Sequence, residues 1–385
     1  RTSRLGAGVT ARSLDETCGA GAGSRWSGAR GAAASHAPRS NRYYSEAMMS
    51  MGVSIGSGPG RGGSRQLCPA AEEASRRVGR TGPGAPHADT GPVSRALRAI
   101  AADERVVRAA GTLREASAEL RWHEALRRRW REARAEAAVR CAIASGGIEG
   151  VVVPTAVLRE AVAARALTEA ATGDPSLDAV AGLWRAGARL TTWMPDLRGD
   201  ARPAQPPPRA LLTALHRDVA GPIAVAGRIP LDAVAAPRIG GTVPVEGGPG
   251  PAPDGEALAA RLGALIRLID LRGAPALVRA ALVHAEMATA RPFLAGNAAV
   301  GRLLVRHLVT RDGLEPTGVA VTDRYAGRVP AAYAEAIAAY ASGTHEGVVA
   351  WVVWQAEAIL VGIQEAQTIC RAVRAGTTAV GGVSD

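Results

Sequence analysis

From residue 92 onward the apolar residues of this chain recur every three or four positions, and that period decides most of what it can fold into. The run "VSRALRAIAADERVVRAAGTLREASAELRWHEALRRRWREARAEAAVRCAIAS" sets Ala, Leu, Val and Ile on one side of a 3.6-residue repeat and Arg and Glu on the other. It predicts two or three amphipathic helices. "TAVLREAVAARAL" and "PSLDAVAGLWRAGARLTTW" continue the pattern, and "LRGDARPAQPPPR" (197–209) interrupts it as an extended proline-rich linker. "RALLTALHRDVAG", "EALAARLGALIRLIDL", "APALVRAALVHAEMATA", "VGRLLVRHLVTRDGL", "RVPAAYAEAIAAYASG" and "EGVVAWVVWQAEAILVGIQEAQTICRAVRAG" predict further helices. No strand–helix alternation points to a parallel sheet, and no fixed-period repeat is present. One segment, "GRIPLDAVAAPRIGGTVPVEGGPGPAPDG" (227–255), breaks the period with Gly and Pro and has room for short strands in a hairpin. The expected class is mainly α.

Three regions follow. Residues 1–91, rich in Gly, Ser, Arg and Pro, bury too little apolar surface to offset ordering entropy and are expected to be a disordered tail. Residues 92–204 form an N-terminal helical region, and 205–375 the main helical core. The chain begins with Arg, so Met48, Met49 and Met51 are expected as alternative starts.

All 46 basic residues are arginine, which fits a codon bias toward G and C. Residues 1–91 hold 12 Arg against 6 Asp and Glu, so only +5 of the net +11 falls on the remainder. That mild charge argues against a nucleic-acid partner. The run "RRRWR" (127–131) is expected to be a solvated helix face. Cys18, Cys68, Cys141 and Cys370 form no CxxC pair, which argues against zinc and for a reducing, cytoplasmic setting. No stretch approaches the ~18 apolar residues of a membrane span; Gln355 and Glu357 interrupt the nearest one.

Two short stretches carry the candidate chemistry. In "HAEMATARPFLAGNAAVGRLLVR" (284–306) a helix breaks at "RPFLAGN", which holds Phe293, the chain's one phenylalanine, and a second helix follows. Gly296-Asn297 at that helix entrance is an anion site by type: Gly tolerates positive φ, Asn caps, and free N–H groups point outward. Arg302 lies about one and a half turns further on, within reach of a phosphate. Gly-Asn as plain turn geometry is the simpler reading of these residues alone. In "ASGGIEG" (144–150), Ser145 and Glu149 share one helical face, although Gly146-Gly147 also fits an ordinary frayed end.

Taken together and in this order, the two stretches resemble the Fic (Fido) family. Its active motif reads HPFx(D/E)GNGRxxR, against "RPFLAGNAAVGR" at 291–302. "HAEMATA" resembles its lead-in helix, and "LHRDVAG" with "GRIPLDAVAAPRIGG" resembles its LHR…GRxR…VxIGG segment. "ASGGIEGVVVP" resembles its inhibitory (S/T)xxxE(G/N) motif, placed ahead of the core. The resemblance spans roughly residues 135–345. It implies a Fic-type helical bundle with a small β-hairpin flap, and transfer of AMP from ATP to a target hydroxyl. The family His acts as general base, its acid holds Mg²⁺, the Gly-Asn turn and the arginines hold phosphates, and the inhibitory Glu pairs with the last Arg.

The departures fall on the chemistry. Arg291 stands at the general-base position, and a guanidinium stays protonated near neutrality. Ala295 replaces the metal-binding acid, so Mg²⁺ loses its ligand. Ala298 and Ala299 replace the next Gly and Arg. Pro292, Phe293, Gly296, Asn297 and Arg302 are kept, as are Ser145 and Glu149. The expectation is a catalytically impaired, ATP-class nucleotide-binding or regulatory pseudoenzyme of bacterial type, with no catalytic residue, no metal and an unnamed target protein. Two alternatives stay open: a transferase using Arg291 in non-standard chemistry, and a helical protein-interaction module that binds no nucleotide. His284, two helical turns before Arg291, reads as a structural histidine. Glu286 reads as a buried-edge hydrogen-bonding group, His307 as helix packing, Trp351 and Trp354 as core or the lining of a partner groove, and Arg306 as helix surface.

Overall fold

The structure, a computed structural model, describes residues 91–167, 171–198 and 202–378. Of the expected tail at 1–91 all but residue 91, and of the proline-rich linker residues 199–201, lie outside the described residues, as do Cys18, Cys68 and the alternative starts. Thirteen α-helices occur among the described residues. They are α1 (Pro92–Ala101), α2 (Glu104–Arg121), α3 (Ala125–Arg128), α4 (Trp130–Ile148), α5 (Thr155–Ala163), α6 (Pro175–Thr192) and α7 (Pro208–Val225). Then come α8 (Gly255–Asp270), α9 (Ala276–Ala290), α10 (Asn297–Arg311), α11 (Arg324–Arg328), α12 (Pro330–Ala341) and α13 (His345–Ala375).

Local chemistry sets the ends. Asp103 caps α2 by accepting from the Arg105 amide at 2.9 Å. Asp174 caps α6 from Ser176 and Leu177, with Pro175 opening the first turn. Thr344 caps α13, and Gly376 closes it in the left-handed conformation. The break between α3 and α4 corrects the reading of "RRRWR". Arg127 and Arg128 are exposed, but Trp130 is buried, and the guanidiniums of Arg131 and Arg134 lie 4.4 and 4.7 Å from its ring centroid.

The segment 227–255 also differs from expectation. No strand is present among the described residues; it holds one 3₁₀ turn, Leu231–Ala233, and extended loop. A hairpin needs paired amides, and here they turn elsewhere: Arg238 N–H donates to Pro292 O (2.7 Å) and Val245 N–H to Leu294 O (2.8 Å). The loop is sewn to the turn between α9 and α10 instead of to itself.

Helices α9 and α10 double back on each other and form the centre. Their crossing is close at Gly301, where an added Cβ would stand 2.8 Å from His284 Cδ2 and 3.1 Å from its carbonyl oxygen. Helix α7 backs α10, α4 packs on α6 and α11, and α13 packs along α2, α12 and α9. One hydrophobic core runs from Leu97 to Val373, so the regions expected at 92–204 and 205–375 share it. Trp351 is fully buried, stacks on Trp354 (5.2 Å) and donates to Ala281 O at 2.7 Å. By length and composition alone, α13 could cross a membrane; 61% of its apolar window is buried inside the protein. Cys141 and Cys370 are free and buried, and burial pushes both thiols up to about 12.

Candidate functional site

Residues 291–297 form the turn between α9 and α10. Arg291 ends α9 in the left-handed region at φ 46°, a conformation that costs a non-glycine residue about 1–2 kcal/mol. Phe293, 1% exposed, stacks on the His216 ring of α7 at 3.9 Å. Asn297 ties the turn to itself: its Oδ1 accepts from Phe293 N–H (2.7 Å) and its Nδ2 donates to Phe293 O (2.9 Å). Gly296 is required twice over. Its φ is 75°, and a Cβ there would stand 2.9 Å from Val219 Cγ1.

His216 joins this turn to the loop beyond α7. Its Nδ1 accepts from Ala235 N–H (2.8 Å), which leaves Nε2 as the donor to Ala295 O (2.9 Å). Burial lowers its pKa to about 4, so the ring is neutral.

The N-terminus of α10 holds a carboxyl group supplied by the chain itself. The Asn297 amide donates to both carboxylate oxygens of Glu246, at 3.0 and 3.2 Å. Burial raises the Glu246 pKa to about 7, against the opposing pull of the Asn297 and Gly296 hydrogen bonds; the Glu149 charge adds to the rise. Arg238, 8% exposed, clamps the base of the same loop. Its side chain donates to the carbonyls of Arg291 (2.8 Å), Pro253 (3.0 Å), Ala290 (3.3 Å) and Thr242. Arg291, 6% exposed, turns its guanidinium onto this loop and donates to Gly250 O (2.5 Å) and Glu246 O (3.4 Å).

Arg302 lies one and a half turns into α10, 2% exposed. Ser145 Oγ accepts from it at 2.8 and 3.0 Å, and Glu149 Oε1 at 2.6 Å across 153 residues. Asp323 Oδ2 stands 3.7 Å from its Nε. Burial opposes its charge, yet Glu149, Tyr333 and Asp323 together hold the guanidinium above its usual range. Ser145 and Glu149, placed on one face by the end of α4, thus meet Arg302. Half-exposed Glu149 forms the outer side of the contact and buried Ser145 the inner side.

The remaining positions take structural roles. Ala295, where the resemblance expects a metal-binding acid, is buried and brings only a methyl, and no cluster of three metal-binding side chains occurs among the described residues. The residues present do not fit a magnesium ion. Ala299 is buried and Ala298 half-buried. His284 donates from Nδ1 to Gln355 Oε1 (2.8 Å) and accepts at Nε2 from Tyr333 OH (3.0 Å), with its pKa lowered by burial to about 3. Glu286 accepts from Arg261 and from Tyr340 OH (2.6 Å). His307 packs edge-on to Trp193. Arg306 is a correction: it is 2% exposed and donates to Gly318 O at 2.9 Å, so it is interior, not helix surface.

Sequence reasoning passed over Glu246, Arg238, Asp323 and the bridging role of His216. One signal was there to read. Glu246 is the single acid between Asp232 and Asp254, in a stretch of Gly and Pro.

No protein-family model and no curated protein matches this chain. Its fold does match solved structures. A Fic family protein from Desulfovibrio desulfuricans G20 aligns over 68% of this chain and 74% of its own, with TM-score 0.52 and 17% identity. Fic-1 from C. elegans aligns over 73% and 74% at TM-score 0.47 and 18% identity. A glutamate-to-glycine variant of that nematode protein aligns over 72% and 76% at TM-score 0.46 and 18% identity. The class is therefore set by architecture. This chain has the Fic fold.

Proposed function

We propose that this protein is a catalytically impaired Fic-fold regulator that binds an ATP-class nucleotide without transferring AMP from it. The observation that carries this reading is Arg291. Where the resemblance expects a proton acceptor, a guanidinium is fixed onto the loop carbonyls of Glu246 and Gly250. It cannot take a proton from a hydroxyl, and loss of a general base costs about 10²–10⁴ in rate. Phosphate recognition is kept. The Asn297 amide already holds a carboxyl group, and Arg302 is a buried cation aligned by Ser145 and Asp323. Glu149 is the inhibitory group in this reading: it neutralises Arg302 and takes the place of a terminal phosphate.

Purified protein incubated with labelled ATP, Mg²⁺ or Mn²⁺ and lysate is expected to transfer no label. Strong labelling that disappears in Arg302→Ala would refute the impaired reading. Calorimetry with ATP is expected to show weak binding that tightens about three- to tenfold in Glu149→Gly. That matches the ~1 kcal/mol of an ion pair with a half-exposed partner. Absence of binding in both proteins would favour the interaction-module reading, which the filled anion positions also fit.

A further inference from the structure

Two acidic side chains stand on the two anion positions of this site. Glu149 holds Arg302 from α4, and Glu246 holds the Asn297 amide from the loop at 237–254. The Glu246 contact differs from an ordinary helix cap, because its residue lies 51 positions away on a loop with its own attachments. That loop is fastened at three points. Arg238 clamps its start, the Val245 amide pairs with Leu294 O, and Arg291 holds its far side through Glu246 O and Gly250 O. Gly248 passes so near the Arg291 guanidinium that an added Cβ would stand 2.8 Å from its Cζ. The loop therefore runs directly over the arginine.

We propose that the loop at 237–254 is an internal plug: the Glu246 carboxyl group occupies the phosphate position at the start of α10, and Arg291 is the latch that holds the plug in place. The proposal rests on the nucleotide-binding reading above. In it, the arginine at the general-base position has a use of its own. It exchanges proton chemistry for control of access, and a phosphate enters only when the loop swings off and Glu246 is displaced. An anion of higher charge than one carboxylate, such as a polyphosphate, is the competitor suited to this site, since the helix terminus favours negative charge.

The test uses the full-length chain and its Arg291→Gly, Glu246→Ala and Glu149→Gly variants. Gly suits the left-handed backbone at 291, and Glu246→Ala leaves Arg291 intact if the first variant folds poorly. Amide hydrogen exchange is followed at Val245 and Asn297, and binding of ATP and of inorganic tripolyphosphate is measured by calorimetry. The plug predicts at least tenfold faster exchange at both amides in Arg291→Gly, the same change at Asn297 in Glu246→Ala, and at least tenfold tighter tripolyphosphate binding in both. Unchanged exchange overturns the latch whichever ligand binds. Faster exchange with tripolyphosphate affinity unchanged, or with no binding at all, overturns the plug. Tripolyphosphate gained without ATP supports the plug and removes the nucleotide reading. ATP gained in Glu149→Gly alone supports the nucleotide reading and removes the plug.

Discussion

Glu246 and His216 hold the same loop, and their protons act in opposite directions. Folding raises the Glu246 pKa from 4.5 to about 7 through burial, so its docking contribution is whole below pH 4.5 and is lost as pH rises through about 7. The groups facing it are Glu149, Arg291 and the amides of Gly296 and Asn297. Burial lowers the His216 pKa from 6.5 to about 4, so its contribution is whole above pH 6.5 and is lost as pH falls through about 4. A proton on Nδ1 would turn it into a second donor against Ala235 N–H. The docked loop is thus most stable between about pH 4.5 and 6.5 and modestly less stable on either side. After correction for intrinsic exchange, protection at the Val245 amide is expected to fall by about two- to threefold from pH 6 to pH 8, the Glu246 loss being partly offset by the His216 gain up to pH 6.5. Glu246→Gln should abolish that fall, leaving only the His216 rise toward pH 6.5. A wild-type protection factor that stays level from pH 6 to pH 8 would contradict the assignment.

Between elements, the site depends on how closely α9 and α10 cross, because their crossing sets the turn that carries Arg291, Phe293 and Asn297. Gly301→Ala is expected to force the helices apart. Its Cβ meets a ring atom and a carbonyl oxygen of His284 and the Met287 Cβ, none of which can move freely in a packed core. Overpacking of this kind costs about 1–3 kcal/mol, or roughly 3–10 °C in Tm for a chain of this size. Gly111→Ala in α2 is the counterpart. Nothing lies within 4 Å of its Cβ position, and it should gain about 0.5–1 kcal/mol from reduced backbone entropy. If both variants melt together, close crossing is not what limits this helix pair. At this scale much was legible in the sequence. The 3.6-residue period marked α9 and α10, "GN" marked the left-handed start of α10, and the i, i+4 spacing put Ser145 and Glu149 on one face. The loop at 227–255 was not, because without a period there is no register, and the partner of Glu246 lies 51 residues off. Buried Arg279 and Arg306 were equally hidden in a chain whose composition spreads arginine everywhere.

Over the whole molecule, the Glu149–Arg302 contact and the turn between α9 and α10 belong to one core, which ties the helices before the proline-rich linker to those after it. Val106, Leu113 and Leu120 recur every seven residues along α2 and are each buried to 2% exposure or less. A seven-residue stripe follows a neighbouring helix over its length, and the neighbour of α2 is α13, the last helix of the chain. Helix α4 continues the union by packing on α13 and α11, where Glu136, Arg140 and Glu365 form a chain of ion pairs. Deleting residues 1–204 would therefore uncover the α2-facing side of α13 as well as remove Glu149. Each large apolar side chain left in water costs about 1.5–3 kcal/mol, and a folded domain has only about 5–15 kcal/mol to lose. Four such side chains are enough. The truncated chain is expected to bind a hydrophobic dye, lose near-ultraviolet dichroism and aggregate. The intact chain should unfold in one transition that coincides by tryptophan fluorescence and far-ultraviolet dichroism. A soluble 205–385 fragment with a sharp melt would show that the core divides at the linker, and that α4 with its Glu149 docks as a separable element.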